Sequence, residues 1–133
     1  MPMNTSIRCT LLLATATVAA ASLLAVRVTA AEGHDSATKQ FMKQYHKAPK
    51  GVDPVCKKAV DGKATPEEIK RLVAGYRQMV AAKPPKGDAA SWTEKTTKLL
   101  AAAEELQKGA PDAAAHYKEA VNCKACHSVH KGE

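Results

Sequence analysis

Near the end of the chain stands Cys123-Lys124-Ala125-Cys126-His127, and no other segment narrows so far what the chain can fold into. Two thiols three residues apart on a helix share a face, and an imidazole follows at once. His127 lies four residues after Cys123 and seven after Ala120, so helical spacing turns all of them towards one side, expected to be the interior. Few chemistries use such a cluster: a redox dithiol, half of a metal site, a disulfide, or covalent attachment of a c-type haem, for which C-x-x-C-H is the attachment sequence.

The rest of the sequence ranks these readings. A thioredoxin-type pair wants a βαβ context, and no alternating β-rich run is present. A zinc site wants a second ligand pair at recognisable spacing, and only isolated His and Cys remain. Arg8 precedes an uncharged run over residues 10–26, and Val28-Thr29-Ala30 offers small residues at alternate positions, so residues 1–30 read as an export leader cut after Ala30 or Ala31. That run sits at the short end of the ~17–25 residues a membrane span needs, so no anchor is expected after cleavage. An oxidising exported compartment, periplasmic in type, suits one covalent haem c held by Cys123 and Cys126, with His127 on the iron.

Residues 31–133 then form one small domain. Removing residues 1–30 takes away Arg8 and Arg27 and no acid, which lowers the net charge from +7 to +5. A modest positive surface steers a protein towards acidic redox partners. An exported chain is not expected to meet nucleic acid. Much of the apolar content is Ala, and the domain has one Phe, one Trp and three Tyr. So thin a core gains from a large rigid apolar group inside it.

Apolar spacing predicts an all-α domain of four helices. The first spans about 35–47, with Phe41, Met42 and Tyr45 on one side, and ends before Pro49, Gly51 and Pro54. A short helical turn over 54–61 carries Val55, Cys56 and Val60. The second main helix opens at Thr65-Pro66-Glu67-Glu68, a capping box with Pro at the first helical position, and its buried stripe is Ile69, Leu72, Val73, Tyr76, Met79 and Val80. Residues 83–88 make a turn. Asp88 or Ser91 caps the third helix, with the stripe Trp92, Thr96, Leu99, Ala103 and Leu106, which ends before Gly109. Pro111 starts the fourth, with Asp112 in its first turn, and this helix is expected to run unbroken through His116 and Tyr117 into the Cys pair. Short joints favour an antiparallel bundle.

An attachment motif in the last helix of four, within the stretch Ala120-Val121-Asn122-Cys123-Lys124-Ala125-Cys126-His127-Ser128-Val129-His130-Lys131, resembles the class II c-type cytochromes, the cytochrome c-prime and c-556 group. The segment 41–46 and the turn 84–88 also look like small cytochromes of this general type from planctomycete-like, anammox-type bacteria. The resemblance implies a four-helix antiparallel bundle with the haem motif in its last helix. It also implies a homo- or heterodimer formed through the first two helices, and a basic residue four after the haem histidine, here Lys131.

Function turns on the far side of the iron. A strong sixth ligand favours electron transfer, and an open position favours a diatomic gas. By the same resemblance the first helix contributes to that face, with Met42 the matching methionine. Met42 also reads as ordinary core filler, and His46, one turn on, as a surface or capping residue. Cys9 leaves with the leader, so Cys56 is the one thiol not committed to haem, and it ranks first among named iron ligands. A buried thiol or an intermolecular disulfide explains it equally well. Thiolate ligation gives a low reduction potential and a site that opens on reduction to nitric oxide or carbon monoxide. His34, His116 and His130 carry no ligand role; His116 and His130 can meet a haem propionate or water. No convergent acid, base and nucleophile is legible, so no enzyme is expected. The expectation is a periplasmic monohaem protein passing single electrons to redox partner proteins, with gas binding as the alternative.

Overall fold

A computed structural model describes the backbone of residues 30–132 and the side chains of residues 37–132. The expected leader lies, apart from Ala30, outside the described residues. These contain six helices and no strand, so the domain is all-α. In chain order they are α1 (Ala30–Tyr45), α2 (Val55–Val60), α3 (Pro66–Ala81), α4 (Ala89–Lys108), α5 (Ala113–Ala120) and α6 (Cys123–His130). Helix α3 packs on α4, α4 on α5 and α6, α1 on α3, and the short α2 on α3 and α5. Among the described residues no helix is long and apolar enough to cross a membrane.

The α3–α4 pair is built as its sequence predicts. Thr65 accepts from the Glu68 amide at 3.2 Å, and Glu68 reaches back to the Thr65 amide at 2.9 Å, completing the capping box. Asp88 caps α4 by accepting from the Ser91 amide at 2.8 Å, and Gly109 ends it at φ 66, a left-handed conformation that glycine adopts without strain. Of the expected stripes, Leu72, Val73, Tyr76 and Met79 on α3 and Trp92, Thr96, Leu99 and Ala103 on α4 are buried, while Ile69, Val80 and Leu106 are only half-buried. Gly75 joins them for a reason spacing does not reveal. A Cβ there would stand 1.9 Å from the Phe41 ring, so glycine is what lets α1 lay Phe41 across α3.

Two expectations about the chain's last third are corrected. Pro111 does not open a helix: Asp112 takes a left-handed φ of 59, as short polar side chains tolerate, and α5 begins at Ala113. Nor does that helix run on into the motif. Val121 turns at φ −78 and ψ 46, the Cys123 amide donates to the Val121 carbonyl at 3.0 Å, and Asn122 restarts a helix by accepting from the Ala125 amide at 3.0 Å. An asparagine side chain in front of a helix competes with the backbone for that amide, and here it wins.

One residue of α6 is fully buried, while Cys126 packs half-buried against the core. His130 is 2% exposed, with Nδ1 2.9 Å from the Lys86 carbonyl, Nε2 3.1 Å from Ser91 Oγ, and its ring edge-on to Trp92 at 5.5 Å. A carbonyl only accepts, so Nδ1 carries the proton and donates. Trp92 in turn donates from Nε1 to the carbonyls of Met79 and Ala82, both at 3.0 Å. Trp92 and His130 thus tie together the end of α3, the start of α4 and the end of α6. The Lys86-Gly87 backbone lies close enough that a Cβ on Gly87, at φ 82, would meet the Val129 carbonyl at 2.9 Å.

Candidate functional site

Between α1, the α3–α4 pair and α6 lies a cleft with two lobes, of about 280 and 440 Å³. Met42, Met79, Cys126 and His127 line both lobes, so the lobes are halves of one depression. Leu99 and Val121 line the smaller lobe, and Trp92 and Pro85 the larger. The walls are therefore mainly apolar and thioether. Lysines stand at the margins: Lys43, Lys47 and Lys131 around the larger lobe, Lys95 and Lys98 around the smaller.

All three motif residues reach this cleft, though not from the buried side of a helix as their spacing suggests. Because α6 starts afresh at Cys123 and fully buries only His130, Cys123 and His127 are exposed and Cys126 is half-buried against the core. All three described cysteines are free thiols. Cys123 Sγ donates weakly to the Val121 carbonyl at 3.6 Å, and burial pushes the Cys126 thiol up from its ordinary pKa. The His127 ring makes no hydrogen bond or ion pair with the described residues. Two free thiols and an uncommitted imidazole on one apolar slot form a donor set that fits a flat macrocycle with a metal at its centre, and the lysines suit carboxylates at its edge. Among the described residues no group of three His, Cys, Asp or Glu side chains stands close enough to hold a metal by itself.

The candidates for the opposite face separate. Met42 is half-buried and lines both lobes. His46 lines the smaller lobe, but its Nε2 lies 3.0 Å from Tyr76 Oη, and Tyr76 Oη lies 2.6 Å from Tyr117 Oη. Burial above all, with some repulsion from His127, lowers the His46 pKa to about 4, so this imidazole is neutral. Cys56 lines neither lobe. It is buried in α2, within electrostatic reach of Cys123, Tyr76 and Tyr117, and burial first, then Cys123, pushes its thiol pKa up, which favours the protonated form.

The remaining histidines also sort themselves. His116 is exposed and pairs with Glu105 at 2.6 Å, which raises its pKa; α5 buries Ala113 and Tyr117 instead, so His116 is not among its inward-facing residues. His130 is the α6 latch: both ring nitrogens are engaged within the fold, by Lys86 and Ser91, although its ring also lines the larger lobe. The His34 side chain lies outside the described residues. Met79, which spacing assigns only to the core, contributes to the cleft wall as well; a stripe at helical period carries no mark for such a double role.

No family model, curated protein or solved structure matches the chain.

Proposed function

We propose that this is an exported, periplasmic-type protein carrying one covalent haem c, a monohaem cytochrome of the class II kind in which α5 and α6 together act as the fourth member of an antiparallel four-helix bundle. The observation that carries the reading is the convergence of Cys123, Cys126 and His127 on one apolar cleft. Cys123 and Cys126 would hold the haem covalently, each thiol through a thioether bond to one vinyl-derived carbon, and His127 would hold its iron through a ring nitrogen. The haem, when bound, supplies an iron that takes up and gives back one electron. Met42, Met79 and Leu99 exclude water from its faces, and the marginal lysines neutralise its carboxylates and draw in acidic redox partner proteins.

Gas binding is the second reading, and a specific observation favours it. Of the three named sixth ligands, Cys56 stands outside the cleft and His46 has its Nε2 engaged by Tyr76, which leaves the weak thioether of Met42. Thiolate ligation by Cys56 remains the rival and requires α2 to shift its thiol into the cleft.

The test is the absorption spectrum of the purified mature protein, ferric and dithionite-reduced, before and after nitric oxide. The spectrum is expected to be that of a c-type haem that resists extraction by acidified organic solvent, and Cys123→Ser with Cys126→Ser is expected to abolish the covalent haem. Absence of haem from the unaltered protein overturns the reading. An unchanged ferric spectrum in Cys56→Ala excludes the thiolate, and a changed one establishes it.

A further inference from the structure

His46, Tyr76 and Tyr117 form a buried polar chain that the cofactor reading does not use. Tyr76 and Tyr117 are both 0% exposed, and Tyr76 Oη is the middle member, 2.6 Å from Tyr117 Oη and 3.0 Å from His46 Nε2. Burial holds both phenols above their ordinary pKa values, so each keeps its proton.

Counting donors fixes the direction of this chain. Each phenol has one O–H to give, and a neutral imidazole has one N–H and one bare nitrogen. If His46 donated from Nε2 to Tyr76, Tyr76 would donate to Tyr117, and the Tyr117 hydroxyl would point into the core with no acceptor among the described residues. A buried donor without an acceptor costs about 1–3 kcal/mol. In the opposite direction Tyr117 donates to Tyr76, Tyr76 donates to His46 Nε2, and the one donor left over is the His46 Nδ1–H, on a ring that lines the cleft instead of in the sealed core beside Tyr117. The proton of His46 then sits on Nδ1. The ring cannot swing freely, because the Phe41 ring meets it edge-on at 5.5 Å and Tyr76 at 5.7 Å.

We propose that His46 is not an iron ligand but a fixed hydrogen-bond donor, offering Nδ1–H to a diatomic ligand held in the lobe it shares with His127, with Tyr76 and Tyr117 as the positioning residues that lock its tautomer. The inference rests on the gas-binding reading and deepens it. Nε2 is taken by Tyr76, so Nδ1–H is the polar group the imidazole has left, on a ring that lines a lobe whose apolar wall includes Met42, Met79 and Leu99. Such a donor stabilises a polarised small ligand against release.

The experiment uses the haem-loaded mature protein, reduced and exposed to carbon monoxide, read by infrared spectroscopy. A donor near the bound oxygen atom lowers the C–O stretching frequency. His46→Leu is expected to move the band to higher wavenumber, and His46→Gln, which keeps an N–H, to return it part of the way. Tyr76→Phe is expected to split or broaden the band, because the tautomer is no longer locked. Nitrogen-15 shifts of the imidazole in the same diamagnetic adduct should show the proton on Nδ1 in the unaltered protein, a readout that needs no variant to fold. Carbon monoxide bound with a band insensitive to His46→Leu, or a proton found on Nε2, overturns the proposal and leaves the gas-binding reading standing. A haem that takes no carbon monoxide overturns both.

Discussion

Helices α3 and α4 hold each other by burial, whereas α6 is held by a histidine. The pair meets along two apolar stripes with Leu72, Tyr76 and Ala103 at 0% exposure, and each of its helices starts on a side-chain cap. Helix α6 has eight residues, its Cys123 and His127 are exposed, and it docks by His130 alone among its fully buried side chains. The difference teaches where the scaffold ends. The pair folds on its own apolar surface, while the motif helix is latched in register and left open on the face its thiols present to the cleft. A helix with so little apolar surface of its own is the element whose stability depends most on what fills that cleft.

Four substitutions or conditions press on this contrast. Trp92→Ala strikes both regions at once, because the indole fills the core, caps the end of α3 and supports the His130 ring. It should cost about 3–5 kcal/mol in urea unfolding, and a cost below ~1 kcal/mol would break the link between the pair and the latch.

Acidification should probe the wall between them. His46 titrates at about 4 in the fold against an ordinary 6.5, so below pH 6.5 the unfolded chain takes up a proton that the folded chain refuses. Stability should be flat above that point with respect to this group and fall by up to roughly 3 kcal/mol as pH drops towards 4. His46→Leu should flatten that fall, and an unchanged slope in the variant would assign it to other groups.

Gly87→Ala sharpens the comparison, since it forces a side chain into a left-handed backbone and against the Val129 carbonyl. A loss of about 2 kcal/mol is expected, with hydrogen exchange accelerated in α6 and unchanged in the centre of α3. Equal acceleration everywhere would mean that α6 does not open separately. Thr65→Ala should do the reverse at smaller scale, costing about 1 kcal/mol through the start of α3 and leaving α6 exchange as it was.

The regions also differed in how far they could be read beforehand. Thr65-Pro66-Glu67-Glu68 and Asp88 state their caps locally, and the α3 and α4 stripes recur at helical period over several turns, so their boundaries and buried faces followed from spacing. The break before α6 depends on a contest between Val121-Asn122 and helix continuation; Asn122 ahead of the motif is the local signal for it, opposed by the apolar residues on either side. The candidate site was legible in part. Cys123, Cys126 and His127 announced themselves by adjacency, whereas Met79, Gly75 and the engagement of His46 by Tyr76 depend on partners 13 to 34 residues away in the chain.

Local sequence alone sets the helical class, the caps that open α3 and α4, most of their amphipathic stripes and the cluster of thiols and imidazole near the C-terminus. Each of these is set by interactions within a turn or two of the chain, where propensity and periodicity act. Only the tertiary structure decided which side chains share the cleft, that Cys56 lies behind it rather than in it, and that His130 latches α6. Those outcomes depend on how separate helices stack and on which nitrogen or hydroxyl finds a partner once they do, and no local pattern encodes a contact that exists only after packing.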